Sequence, residues 1–300
     1  MDSSVDRSQL QTTVVDGVTT RAWVGGSGPP VLLLFGGHFG FPLPLALDCF
    51  SGSPPTLSEV AEVHALDKLG QGGTGLPEDP SHWTIDAVVE HVVAYVRAEG
   101  LRDLALVGHS NGALIAAAVA QRLTSRIRRL VLVASRVASP DHPAAPSPPY
   151  LQGVFATAPW TSGAAAVVDH YLAAQAVHPE RWGSSYRQAL IARMEDPVWL
   201  DRLRRYRDEQ VDERRWRPGL QRLRSEVLTS LANGAPGCPV DVLWGADDRS
   251  APLPLGMALF ELVARHHDEA SLIVLNRAGH HVFKDQPSAF DGHLVRSLSR

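Results

Sequence analysis

Six short apolar runs, at 31–35, 63–66, 104–107, 130–133, 240–243 and 272–275, constrain this chain more than any other feature. Each is continuous rather than alternating and is bounded by turn-forming residues, which is the signature of a strand buried on both faces. Helical patterns lie between several of them, over 85–99, 111–123 and 255–266. Strands alternating with helices predict an α/β fold: a mostly parallel central sheet with helices on both faces. Ahead of the first run, Val14-Val15, Asp16-Gly17 and 18–24 read as an antiparallel hairpin, because Asp-Gly supplies the positive-φ pair of a type I′ turn.

The alternation breaks once. Between about 135 and 237 no buried strand is evident. The Pro-rich stretch 139–149, read as a hinge or linker, leads into helical segments such as 186–194 and 200–210 that carry arginines and aromatics. With 300 residues the chain is long enough for two domains, so this break is either a second domain or an insertion. Composition excludes other classes: hydrophobic residues at 44% and charged residues at 20% suit a packed core and not a disordered chain. A net charge of −4 without basic clusters argues against nucleic-acid binding. Only Lys68 and Lys284 are lysines; the abundance of arginine reads as a GC-rich genome's codon usage. The polar start, 1–17, lacks a signal peptide's apolar stretch and no run is long enough to span a bilayer, so a cytoplasmic protein without a membrane partner is expected, as monomer or homodimer. Cys49 and Cys238 have neither disulfide-framework nor metal-ligand spacing, and no metal or cofactor is expected.

Gly108-His109-Ser110-Asn111-Gly112 follows one apolar run directly and opens the next helical pattern. In that context G-x-S-x-G is a nucleophile elbow, whose tight turn pushes the serine hydroxyl into the open. A serine hydroxyl is a weak nucleophile at neutral pH and needs a base that is itself oriented. Of thirteen histidines, His280 is best placed, after the last apolar run and the short loop 276–279, with His281 as its neighbouring alternative. His266 and His267, near a helix end, are expected on the surface, and His109 is expected to be structural. Beyond 240–243 stand Asp247 and Asp248; Asp248 is the expected acid and Asp247 the alternative. Oxyanion donors are expected from the backbone N–H groups of Asn111 and Gly37, the latter in Gly36-Gly37-His38-Phe39-Gly40 just past a strand. The stretch 70–75 matches G-x-G-x-x-G, but Pro77 and Pro80 separate it from the next helix, so it is read as a decoy and not a dinucleotide site.

These features together resemble the alpha/beta-hydrolase fold superfamily along nearly the whole chain. The matching residues are Gly36-Gly37, Asp67-Lys68-Leu69-Gly70-Gln71-Gly72, the elbow at Ser110, Trp244-Gly245 with Asp248 and Pro252, and Gly279-His280, all in the family's order. Phe35 stands where the family commonly has histidine. The resemblance implies a helical lid over the site at 136–236, between core segments 1–135 and 237–300. The stretch 276–287 looks like the carbon–carbon bond hydrolases of aromatic ring-cleavage products, whereas His109 and Asn111 beside the nucleophile look more like esterases.

The expected activity is therefore cofactor-independent cleavage of an ester, thioester or similar bond of a small-molecule substrate. Ser110 is the nucleophile, His280 the base and Asp248 the orienting acid. Alternatives are carbon–carbon hydrolysis of vinylogous 1,5-diketones, acyl transfer or cyclisation, and a ligand-binding receptor with a vestigial triad. Candidate substrate contacts are His38, Phe39, Trp160, Tyr186 and His281, while Tyr171, Trp182, Trp199, Arg204 and Arg205 are more simply read as packed or solvated lid residues.

Overall fold

The computed structural model describes residues 6–50 and 52–298; residues 1–5, part of the polar start, lie outside it. Eight strands form one sheet: β1 (Leu10–Val15), β2 (Val18–Gly25), β3 (Pro30–Leu34), β4 (Glu62–Leu66), β5 (Leu104–His109), β6 (Ile127–Val133), β7 (Val240–Gly245) and β8 (Ser271–Leu275). Their spatial order is β1-β2-β4-β3-β5-β6-β7-β8. The β1–β2 and β2–β4 pairs are antiparallel and all the others parallel. Asp16 and Gly17 both have positive φ, 48° and 80°, as the I′ hairpin requires.

The apolar runs are continuous because each strand serves two cores. In β3, Leu32 and Leu34 face one core while Val31 and Leu33 face the other; in β5, Leu104 and Leu106 are opposed in the same way to Ala105 and Val107. Helices α1 (Ala46–Phe50) and α2 (Ser53–Leu57) follow β3, α3 (Ile85–Ala98) precedes β5, and α4 (Asn111–Arg122) follows it. Helix α4 is buried almost throughout, and its Ala-rich sequence lets it lie close against β5 and β6.

Between β6 and β7 the described residues hold no strand. They form α5 (Tyr150–Ala156), α6 (Ala164–Gln175), α7 (Ser184–Glu195), α8 (Pro197–Asp208), a π-helical turn at Asp212–Trp216, and α9 (Arg217–Ala232). These helices pack on both sides of the sheet: Leu223, Val227 and Leu231 of α9 join the first core, and Val168, Tyr171, Tyr186 and Leu190 of α6 and α7 join the second. After β7 come α10 (Leu253–Val263) and, after β8, α11 (Val282–Asp285) and α12 (Pro287–Leu298).

Helix α10 stops at Val263, short of the sequence-based boundary at 266. The chain turns there, with the N–H groups of His266 and His267 both donating to the Val263 carbonyl. The turn exposes His266 but folds His267 inward, 7% exposed, with Nδ1 3.1 Å from the Cys238 carbonyl, so the surface expectation for His267 is corrected. The glycine stretch 70–75 forms a loop held by Asp67, whose carboxylate accepts N–H bonds from Ala46 and Gly73 at 2.6 and 2.7 Å, and it opens no helix.

Candidate active site

Ser110 sits between β5 and α4 with φ 55° and ψ −126°, a conformation that costs a non-glycine residue of order 1–3 kcal/mol and persists only where its surroundings impose it. Here they do. A Cβ at Gly112 would collide with the Leu34 carbonyl and one at Gly108 with the Gly112 carbonyl, so only glycines let helix and strands close this tightly. The Ser110 N–H donates to Val133 O at 2.9 Å and its carbonyl accepts from Ser135 Oγ at 2.7 Å, fixing the turn from the side of β6. The serine is partly exposed beside Gly36, where an added Cβ would lie 2.7 Å from Ser110 Cβ and 3.2 Å from Oγ.

His280, 6% exposed, lies in the loop after β8, and its Nδ1 is 2.9 Å from Asp248 Oδ2. The other carboxylate oxygen of Asp248 accepts the N–H groups of Ser250 and Ala251, both at 2.8 Å. The acid is thus buried, fully engaged and held in one rotamer, whereas Asp247 is exposed. His109, immediately before Ser110, points into the protein, and its Nε2 meets the His280 carbonyl at 2.9 Å. Burial holds the His109 imidazole well below its usual pKa, so it is neutral and donates that bond, tying the His280 loop to the turn at Ser110.

The loop after β3 passes over Ser110. Gly37 has φ 71°, and a Cβ there would strike the Leu43 side chain. Among the described residues the N–H groups of Gly37 and Asn111 make no hydrogen bond to the protein. The Asn111 side chain reaches back to the Gly37 carbonyl, at 3.4 Å.

The remaining candidates divide. His38 stacks on Tyr206 of α8 (5.8 Å between ring centroids) and lies 5.3 Å from Trp216, while Phe39 is buried against Trp216 and Trp83. His281 is buried with Nε2 3.1 Å from the Tyr171 hydroxyl and is surrounded by Phe35, Trp182 and Phe283. Tyr186 is buried on the same side, with the Lys284 ammonium 3.7 Å from its ring centre. Trp160 lies apart from them: it is 53% exposed and donates to the Phe155 carbonyl at the end of α5. Apolar 3-10 and helix-start positions of this kind read alike in sequence whether they face in or out.

A cavity of about 600 Å³ borders His280 and Asp248 and runs between 174–177 and 246–254; Ser110 is not on its wall. Among the described residues no group of three or more His, Cys, Asp or Glu side chains is placed to hold a metal ion, and no helix is long and apolar enough to cross a membrane.

Two supports of the site gave no signal in the sequence. Asp285 is fully buried: Oδ1 accepts the N–H groups of Val177 and His178 and the Trp182 ring N–H, and Oδ2 accepts Gly279 N–H. It clasps the segment after α6 to the loop that carries His280. Lys68, 2% exposed, donates to the carbonyls of Phe35 and Gly36.

The alpha/beta hydrolase fold family model matches residues 30–287. A 2-hydroxy-6-oxo-2,4-heptadienoate hydrolase of Pseudomonas putida is 26% identical over 91% of this chain and 90% of its own length. A 2-hydroxymuconate semialdehyde hydrolase of a Pseudomonas species is 33% identical over 122 residues, 41% of this chain and only 42% of that relative. Among solved structures, a meta-cleavage product hydrolase variant superposes with TM-score 0.74 (20% identity, 95% of this chain and 96% of that one). An esterase from a Rhodococcus species does so with TM-score 0.68 (20% identity, 97% and 98%). At that identity the two likenesses speak for the fold alone, but the family match covers most of the chain and includes Ser110, Asp248 and His280. The chain belongs to the alpha/beta hydrolase fold family.

Proposed function

We propose that the protein is a cofactor-independent serine hydrolase that cleaves an ester, thioester or similar acyl bond of a small molecule. The observation that carries this reading is the 2.9 Å bond between His280 Nδ1 and a buried, fully engaged Asp248, in a chain whose elbow holds Ser110 in a strained turn. Asp248 fixes the imidazole with Nδ1 protonated, leaving Nε2 to take the Ser110 proton as Oγ attacks the carbonyl carbon. The N–H groups of Gly37 and Asn111 receive the oxyanion. His280 then returns the proton to the leaving group, and water resolves the acyl-enzyme by the same steps in reverse roles.

The helices between β6 and β7 act as a lid, spanning about 136–236, on a core made of 1–135 and 237–300. His38, Phe39, Tyr186 and His281 belong to the neighbourhood of the pocket that this lid closes. A second reading, hydrolysis of a carbon–carbon bond in a vinylogous 1,5-diketone, is supported by the Pseudomonas putida relative that aligns over 91% of the chain. One experiment tests both: turnover of p-nitrophenyl esters and of vinylogous 1,5-diketones by the parent protein and by Ser110→Ala. Ester cleavage lost in the variant supports the first reading, and faster diketone turnover the second. Full activity of Ser110→Ala on whichever substrate the parent cleaves refutes both.

A further inference from the structure

Lys68 is an unusual residue to bury. It stands in the loop after β4, 2% exposed, and among the described residues no carboxylate oxygen lies within 4 Å of its ammonium. Its hydrogen bonds go to two consecutive main-chain carbonyls, those of Phe35 and Gly36, and the Gly36 carbonyl also accepts from Gln71 Nε2 at 3.2 Å. An ammonium in an apolar interior is costly unless it is engaged this way.

Two of these bonds, from Lys68 at 3.1 Å and from Gln71 at 3.2 Å, fall on the Gly36 carbonyl, which belongs to the peptide unit joining Gly36 to Gly37; the bond to Phe35 anchors the ammonium on the preceding unit. In a trans peptide the C=O and the N–H point in opposite directions. Two donors pulling on the Gly36 oxygen therefore turn the Gly37 N–H to the opposite side of the peptide, and Gly36 itself packs against Ser110, where an added Cβ would lie 2.7 Å from Ser110 Cβ. The cation does more than orient. A positive charge on a peptide oxygen polarises the whole unit, and hydrogen bonds in such a chain strengthen one another.

We propose that Lys68 is a positioning residue for the oxyanion hole: its ammonium, with Gln71, aims the Gly36–Gly37 peptide and makes the Gly37 N–H a stronger donor to the developing negative charge. The inference rests on the serine-hydrolase reading for its catalytic meaning, but the orientation and polarisation of the peptide are properties of the folded protein alone. It also accounts for the tolerance of a buried lysine where an apolar side chain would fill the same space.

A charge that works through a peptide should be visible in its titration. Burial pulls the Lys68 ammonium down to about 7. The groups facing it are the Cys49 thiol of α1, kept neutral by burial, and Asp67 beside it, itself raised to about 7 by burial; His38 and His109, both held low, stand farther off. The folded protein therefore carries the Lys68 charge below about pH 7 and loses it above. The contribution to catalysis is present on the acid side and fades as pH rises.

The test compares the parent with Lys68→Met, which keeps the length and loses the donors, and with Gln71→Leu, which removes one donor and no charge. The first readout is the Gly37 amide resonance in ¹⁵N-labelled protein. It is expected to titrate with a midpoint near 7 in the parent and in Gln71→Leu, and to lose most of that shift in Lys68→Met, where only Asp67 still titrates nearby. The second is ester hydrolysis: kcat is expected to fall 10- to 100-fold in Lys68→Met with KM within about threefold, and affinity for a boronic-acid transition-state analogue to fall in parallel. Gln71→Leu is expected to lose less than tenfold. An unmoved Gly37 resonance, or kcat within twofold of the parent in a folded Lys68→Met, overturns the proposal. A general loss of folding would show instead as collapsed spectra, in which case Gln71→Leu decides, because its kcat must fall while its thermal midpoint holds. A titrating Gly37 amide in a protein whose Ser110→Ala variant keeps full activity leaves the Lys68 geometry standing and refutes the serine-hydrolase reading.

Discussion

Replacing Asp248 with asparagine should disable the protein while leaving it folded, and the hydrogen bonds around that carboxylate set the size of the loss. Oδ1 accepts two main-chain N–H groups, from Ser250 and Ala251. In the variant the amide oxygen must stay there, since an NH₂ group in that position would oppose two donors in a buried site. The NH₂ then faces His280 Nδ1, 2.9 Å away in the parent, and can only donate to it. His280 is thereby driven to the tautomer with its proton on Nε2, which cannot accept the proton of Ser110. Loss of the working tautomer in a Ser-His-Asp system is worth about 10⁴ in kcat, or about 5.4 kcal/mol at 1.36 kcal/mol per decade. Steady-state hydrolysis of a p-nitrophenyl ester, with a thermal melt as a check on folding, measures it. Asp247→Asn, at an exposed position, serves as the comparison and should stay within twofold. A kcat for Asp248→Asn within tenfold of the parent, or an equal loss in Asp247→Asn, would refute the reasoning.

Three further outcomes are expected. Gly37→Ala should lower kcat by 10²–10³ with little change in KM, because φ 71° and the Leu43 side chain leave no room for a methyl group without moving the N–H; an unchanged kcat would show that this amide is not a donor. Arg129→Met should destabilise the fold by about 3–5 kcal/mol, measured by urea unfolding, because it leaves Asp241 buried without the guanidinium now 3.0 Å away. Stability should fall as pH drops from about 6.5 to 5. Burial lowers His91 to about 4 and depresses His38, His109 and His281, so the unfolded chain takes up protons that the folded one refuses. Asp67 and Asp291, raised to about 7 and about 6, and Asp48, also raised by burial, oppose this only in part. A flat or rising profile in that window would contradict it.

The sheet and the elbow were legible because their causes are local: a strand buried on both faces must be apolar throughout, and a sharp strand-to-helix turn must have glycine on both sides of Ser110. The choice between Asp247 and Asp248 was less legible, since adjacent side chains diverge and only the turn that offers the N–H groups of Ser250 and Ala251 decides which one faces inward. His267 was misplaced for a related reason. Whether a residue just past a helix end or at the start of a short turn faces in or out depends on how the next segment bends. The structural role of His109 was legible but not its partner, 171 residues away, and the roles of Lys68 and Asp285 were out of reach, because their partners lie 33 and more than 100 residues away in the chain.

Asp285 has a consequence for how the molecule breathes. One carboxylate holds the amides of Val177 and His178, the Trp182 ring N–H, and the amide of Gly279 next to His280. Peeling away the segment at 177–182 alone would strip three of those four donors from a buried charge, which the interior does not tolerate. The segment and the His280 loop therefore open together or not at all, and the backbone amides of Val177, His178 and Gly279 should show one common opening free energy in deuterium exchange, as members of a single cooperative unit.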